Sequence, residues 1–360
     1  MLIKNILTSV SDSYNFEGKD EVIFLNTGDV SEGKILQNNF TNISILPGQA
    51  KKSIMNYDLL YSEIRPINRH YALVNVNHPE KYVVSTKLMV LRKKSSDYDI
   101  NYLYQFLISD KVINNLQSIA ESRSGTFPQI TYEILSMLEV PDISISEQQH
   151  IVNILGTIDD KIENNLQITA KIREYMQLIF SQYEKFITNN NDTKIGDYLT
   201  FIKGKKPLEG LNDQLNYLNI EGMETNIFET KCADNMVVAE ENDLLMVMDG
   251  ANSGNVYSGY NGIVGSTMAK LQINPKEYTP IIEQKLIQMK TKIRELNTGS
   301  AIPHANKEYI SSLSIKFTND QKQKILTQQL LLLKNEIFSL RKQNIKLNRM
   351  KQLYLKKFFD

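Results

Sequence analysis

A single cysteine, Cys232, occurs in the 360 residues, so no disulfide can close within the chain. The first residues, Met1 to Phe16, hold a short apolar patch but no clear apolar core followed by a small-residue cleavage site. A cytoplasmic location is the simplest expectation from both. The four histidines, His70, His78, His150 and His304, are scattered, and with one cysteine they form no recognisable zinc or iron cluster. Each reads first as an ordinary surface or core residue. No apolar run reaches the roughly 18 residues a membrane span requires. A Walker A loop is missing, and so is an Asn-Pro-Pro-aromatic methylase motif: the one Asn-Pro, Asn274-Pro275, continues into Lys-Glu and reads as a turn. No Ser/His/Asp or Cys/His signature stands out either. No catalytic or metal constellation calls for an explanation.

Net charge is lacking too, with 41 basic against 41 acidic residues, but the balance is uneven. Residues 1–145 hold 14 basic and 16 acidic side chains, 146–188 hold 4 and 6, and 189–317 hold 13 and 16. Residues 318–360 hold 10 basic and only 3 acidic. A neutral whole with a basic terminal segment permits contact with a polyanion and predicts weak non-specific affinity for one.

What the chain does have is repetition. Its length suits two middling domains, and a run of short motifs occurs twice in the same order. Phe24-Leu-Asn-Thr-Gly-Asp-Val30 pairs with Tyr217-Leu-Asn-Ile-Glu-Gly-Met223, each a strand ending in a turn. Tyr57-Asp-Leu-Leu-Tyr-Ser-Glu-Ile-Arg-Pro66 pairs with Asn242-Asp-Leu-Leu-Met-Val-Met-Asp-Gly250, each an Asp turn, an apolar strand and a polar loop. Ser85-Thr-Lys-Leu-Met-Val-Leu91 pairs with Ser266-Thr-Met-Ala-Lys-Leu271. Helical stretches follow at Ile100 to about Glu121 and Ile281 to about Leu296, then the loops Ser124-Gly-Thr-Phe-Pro128 and Thr298-Gly-Ser-Ala-Ile-Pro303. Two copies of one mixed α/β domain are expected.

Each copy ends in a long helix. Apolar residues recur at Ile151, Leu155, Ile158, Ile162, Ile172, Met176, Ile179 and Tyr183, with Asn165 and Thr169 in the gaps. Ser144 or Ser146 is the expected N-cap, and Glu147 lies early in the first turn where the dipole favours it. From Ile151 to Phe186 a helix would run about 54 Å. Leu326, Leu330, Leu333, Ile337, Leu340, Leu347, Tyr354 and Phe358 keep the same spacing, with Asn344 and Lys351 in the seam. Such a seven-residue register predicts a coiled coil, in which a polar seam residue fixes register at a cost in stability. The expected fold is α+β: two similar domains, at 1–145 and 189–317, each followed by a long helix, at 146–188 and 318–360. The helices form an antiparallel coiled coil with pseudo-twofold symmetry, or else pair with a second copy of the chain.

A rigid object with two unlike heads suits a ligand with two sites at a fixed distance, and duplex DNA, with about 34 Å per turn, is one. Each head would read a different short motif of an asymmetric bipartite target. The motifs are specific at this point. Gly-Thr-Phe-Pro128 with Ile130-Thr-Tyr-Glu-Ile-Leu135, Val140-Pro141 leading to Glu147-Gln-Gln-His-Ile151, Lys194-Ile-Gly-Asp-Tyr-Leu-Thr-Phe-Ile-Lys-Gly204, and Val247-Met-Asp-Gly-Ala-Asn-Ser-Gly254 resemble recurrent phrases of type I restriction–modification specificity subunits. The first domain shows no clear counterpart of the Lys194–Gly204 opening. The resemblance implies double-stranded DNA as ligand and two modification subunits on the helices, with two restriction subunits as further partners. It implies no catalysis and no cofactor in this chain, with S-adenosylmethionine, ATP and Mg belonging to those partners.

Readers of DNA use Arg and Lys on guanine or phosphate and Asn and Gln on adenine. The candidates are Lys51, Lys52, Arg65, Arg69, His70 and Arg123 in the first domain. In the second they are Lys203, Lys205, Lys206, Asn252, Ser253, His304 and Lys307. Lys203-Gly-Lys-Lys206 reads as a compact basic turn, and Asn252-Ser-Gly254 equally as a plain turn. Against each stands the plainer reading of a solvated surface charge. Two rival functions stay open: a stand-alone restriction or methylation enzyme, which would transfer methyl groups without a partner, and a coiled-coil scaffold, which would show no sequence preference on DNA.

Overall fold

The computed structural model describes residues 1–122, 128–187, 193–207, 214–299, 302–318 and 320–359. Two compact units divide the chain, the first made of Met1–Lys161 with Leu347–Asp360, the second of Ile162–Lys346.

In the first unit the strands are β1 (Leu7–Val10), β2 (Glu21–Leu25), β3 (Val30–Ser31), β4 (Lys34–Ile35), β5 (Thr41–Asn42), β6 (Ala50–Ser53), β7 (Leu59–Ser62), β8 (Tyr71–Leu73), β9 (Tyr82–Ser85) and β10 (Leu88–Lys93). One sheet has the order β1-β10-β7-β8 and a second the order β5-β2-β9-β6. Four helices follow: α1 (Ile100–Leu107), α2 (Asp110–Ser122), α3 (Tyr132–Ser136) and α4 (Ile145–Phe186).

The second unit repeats this plan. Its strands are β11 (Thr193–Lys194), β12 (Leu199–Lys203), β13 (Gln214–Leu218), β14 (Thr230–Cys232), β15 (Val238–Ala239), β16 (Leu244–Val247), β17 (Val256–Tyr257), β18 (Gly262–Val264), β19 (Met268–Ile273) and β20 (Ser314–Ile315). The sheets have the orders β12-β19-β16-β17 and β14-β13-β18-β15, strand for strand those of the first unit. Even the one parallel pairing in each second sheet recurs, β2 with β9 and β13 with β18. The helices are α5 (Ile220–Thr225), α6 (Thr279–Gln288), α7 (Lys290–Glu295), α8 (Lys307–Ser312) and α9 (Gln321–Phe359).

The apolar runs after the two Asp turns explain the sandwich. All four residues of β7 and of β16 are buried. Leu59 and Tyr61 face the helix-side core and Leu60 the core toward the second sheet, because successive side chains point to opposite faces. Leu244 and Met246 against Leu245 and Val247 divide likewise. A strand covered on both faces must be apolar throughout. The aspartates starting these runs are fixed by backbone N–H donors: Met55 N to Asp58 Oδ2 (2.8 Å) and Glu240 N to Asp243 Oδ2 (2.8 Å). Each also meets a cation of the neighbouring strand, Arg92 or Lys270.

Two expectations change. The N-terminus is a full counterpart of the Lys194–Gly204 opening. β1 pairs with β10 as β12 pairs with β19, and the bridge of Leu2 with Glu139 stands where β11 pairs with β20. The helical stretch from Ile100 breaks in two, because Ser109 Oγ donates to Phe106 O (2.7 Å) and receives Val112 N, ending α1 and opening α2. Its partner also divides, into α6 and α7, at Met289 and without a side-chain cap. α4 begins at Ile145, next to one of the two expected N-caps. Ser144 is the N-cap: Glu147 N donates to its Oγ (3.3 Å) while Glu147 Oε2 accepts from Ser144 N (2.9 Å), a reciprocal box.

Within each unit the two long helices run antiparallel. In the first, Ile151 and Leu155 share a core with Leu355 and Phe359, and Lys351 Nζ reaches Asp159 (2.7 Å). In the second, Asn165 Nδ2 donates to Asn344 Oδ1 (2.7 Å), Met176 packs in one core with Leu330, and Tyr183 OH donates to Gln323 Oε1 (3.1 Å). Among the described residues no helix is long and apolar enough to cross a membrane.

Candidate nucleic-acid interface

The same pair of loops is tied together in both units. In the first, the loop after β7 receives the segment before α3: Arg65 N donates to Pro128 O (3.0 Å) and Ile130 N to Glu63 O (2.9 Å), with Ile64 bridged to Gln129. In the second, Gly250 N donates to Pro303 O (2.9 Å) and Ala305 N to Met248 O (2.8 Å), with Asp249 bridged to His304. These bonds pair Gln129 with His304 and Arg65 with Gly250. One backbone frame thus carries different side chains in the two units, which is what two readers of different sequences require.

Around the first frame stand Arg65, Arg69 and His70. Arg65 and Arg69 are both left-handed and flank the tight 3-10 turn Pro66–Asn68. Arg65 is exposed, whereas Arg69 is half-buried and paired with Asp110. His70 Nδ1 lies 2.8 Å from Val30 O, so that nitrogen carries the proton. Arg123 and the Gly-Thr-Phe of the same loop lie outside the described residues. Lys51 and Lys52 belong to β6, in the other sheet. Lys51 is exposed, but Lys52 is buried, its ammonium donating to Thr86 O (3.2 Å) and Leu88 O (2.9 Å). Burial lowers the Lys52 pKa, and the two carbonyls hold the charge inside the fold, so it is not placed to reach a phosphate.

Around the second frame Lys203 and His304 converge on Asp249. Lys203 Nζ is 3.2 Å from one carboxylate oxygen and His304 Nδ1 2.7 Å from the other. Burial opposes ionisation of Asp249, but the hydrogen bonds from His304 and Lys203 outweigh it and hold the carboxyl below its ordinary range. An ionised carboxylate only accepts, so His304 carries its proton on Nδ1 and leaves Nε2 to a ligand. The expected basic turn is instead the end of β12 and the irregular segment after it: Gly204 N donates to Met268 O, and a side chain at 204 would collide with the Val264 and Gly265 carbonyls. Lys205 and Lys206 are exposed beyond it, Lys205 reaching Asn235 O (3.4 Å). Ser253 is fully buried and receives Asn297 Nδ2 (2.6 Å), so it serves the loop and not a base. Asn252 is half-buried in the same turn. Lys307 is exposed, its ammonium 5.7 Å from the centre of the Phe201 ring. Asp249 and Gln129 were not among the sequence candidates, although Asp249 stands inside a phrase already read as a motif.

Residues 3–174 match the family described as "Type I restriction modification DNA specificity domain". Over these residues the chain is similar to that family. It is 41% identical over 179 residues to the "Type I restriction enzyme HindI specificity subunit" of Haemophilus influenzae, covering 50% of this chain and 39% of that one. It is 31% identical over 173 residues to the "Type I restriction enzyme MjaVIII specificity subunit" of Methanocaldococcus jannaschii, covering 46% and 41%. The matched stretch thus spans about two-fifths of the length of these curated relatives. The fold is similar to the crystal structure of the type I restriction–modification S subunit from M. genitalium, with TM-score 0.59 and 17% identity over 100% of this chain and 95% of that one.

Proposed function

We propose that this chain is the sequence-specific DNA-binding specificity subunit of a type I restriction–modification complex, each unit reading one half of an asymmetric bipartite target. The observation that carries the reading is the double occurrence of one sheet plan and one loop frame, its first copy lying in the residues that match the DNA specificity domain. The chain itself performs no chemistry in this reading. Adenine-N6 methylation, with its S-adenosylmethionine, and ATP- and Mg-dependent restriction belong to partner subunits in the same cytoplasm, and the long helices set the spacer between half-sites.

The second unit offers a surface for the modification subunits. On its helices Gln177, Glu184, Lys334 and Arg341 face the sheets' side, bonding to Gln284, Lys285, Glu283 and Ser258. Heptad spacing turns Ile168, Tyr175 and Leu178 of α4 and Ile325 and Leu332 of α9 to the opposite side, and all five are exposed. An apolar strip on a helix pair fits partner helices.

The test is methylation sequencing of the source genome with and without this gene. A bipartite N6-methyladenine motif that vanishes on deletion is expected. An unchanged methylome overturns the reading, and methyl transfer by the purified chain alone would favour a stand-alone enzyme.

A further inference from the structure

The two units differ at one place beside the shared loop frame. In the first, the loop after β7 is fastened to α2 by side chains: Ile67 N donates to Gln117 Oε1 (3.1 Å) and Arg69 pairs with Asp110. In the second, the equivalent loop 250–254 and α7 leave an open groove of about 510 Å³, lined among others by Ala251, Lys290, Arg294, Glu295, Gly299 and Pro303. Where α2 turns Asp110 and Gln117 to its loop, α7 carries Lys290 and Arg294 beside its own. Arg294 Nη2 donates to Ala251 O (3.0 Å), which points the guanidinium along the loop and leaves its other N–H groups unused by that bond. Asn297, bonded to Ser253, ties the end of the helix segment to the loop. Gly250 is left-handed with open space where a side chain would be, so the backbone can be approached closely there.

We propose that this groove seats one phosphodiester of the duplex backbone, held by Lys290 and Arg294, so that the second unit grips the backbone at a point where the first does not. This rests on the DNA-reading function above. Two cations and the Glu295 carboxylate give the lining one net positive charge. That suits a phosphodiester monoanion better than an inorganic phosphate dianion, which meets a carboxylate at the rim.

The test uses the full chain and a random-sequence duplex, since phosphate contacts carry no sequence information. Affinity is measured from about 50 to 200 mM salt, where each phosphate contact contributes about 0.9 to the logarithmic slope. The Lys290→Ala, Arg294→Ala double variant is expected to flatten the slope by close to one contact and to bind correspondingly more weakly. Arg294→Lys, which keeps the charge, should restore most of the slope to a Lys290 wild-type background. Lys292→Ala, on the same helix but outside the lining, should leave it unchanged. A double variant with the wild-type slope overturns the groove, as does an equal loss from Lys292→Ala, which would mark a diffuse charge effect. Inorganic phosphate at matched ionic strength that displaces DNA equally from wild type and from the double variant overturns the groove as the shared contact. No DNA binding by the wild-type chain, alone or with its partners, overturns the function itself and not merely the groove.

Discussion

Asp249 stands between Lys203 and His304, side chains that a DNA backbone could engage, and its charge decides how available they are. Replacing it by Asn releases Lys203 from its ionic partner and His304 from a charged hydrogen-bond acceptor. Asp249→Asn is expected to bind random duplex more tightly with a steeper salt dependence, and to discriminate less between sequences; a titration across salt concentrations checks this. The same carboxyl links stability to pH. Its pKa is depressed in the folded state, so its contribution is complete above the ordinary carboxylate range and is lost as pH falls through the lower folded value. Acid-unfolding curves of wild type and Asp249→Asn should therefore converge toward low pH. At this scale the sequence was only half legible. Lys51 and Lys52 read alike, yet adjacent residues of a strand face opposite ways, so only one of the two could be a surface cation. The convergence on Asp249 was hidden because Lys203, Asp249 and His304 are far apart in the chain and meet only through sheet pairing.

At the level of elements, periodicity disclosed the long helices, while their ends depended on single side chains. Ser144→Ala removes the N-cap of α4 and is expected to cost about 1 kcal/mol in denaturant melts. The seam pair is a different case. Asn165 and Asn344 bond to each other, but the Asn165 Oδ1 atom is buried without a partner among the described residues. Asn165→Leu with Asn344→Leu should raise the denaturation midpoint, and should broaden cysteine cross-linking across the helix pair because register is less fixed. The opening strand went unread for an identifiable reason. Ile3, Leu7 and Thr8 match Ile195, Leu199 and Thr200 at constant spacing, but the lysine, glycine and aromatic residues that make the second copy conspicuous are absent from the first. Three matching residues in a short strand are too few to notice before the pairing with β10 is known.

For the whole molecule, the duplication was legible in order and kind, and the topology repeats more closely than the residues do. Less evident was that the first unit is not contiguous. Leu355 and Phe359 of α9 lie in its core, with Phe359 packed on Tyr102 and Phe106 at ring distances of 5.5 and 5.7 Å. Phe359→Ala is expected to destabilise that unit by about 3–5 kcal/mol. Calorimetry should show one transition lowered while the transition of the second unit stays in place.

This borrowed closure has a consequence for biogenesis. The second unit is complete in one stretch, from Ile162 to Lys346, whereas the first awaits residues 347–360. A ribosome therefore delivers the whole of the later unit before the earlier one can finish its core. The domain synthesised first matures last, and a nascent chain released short of Leu355 would carry one finished unit and one with an open apolar face.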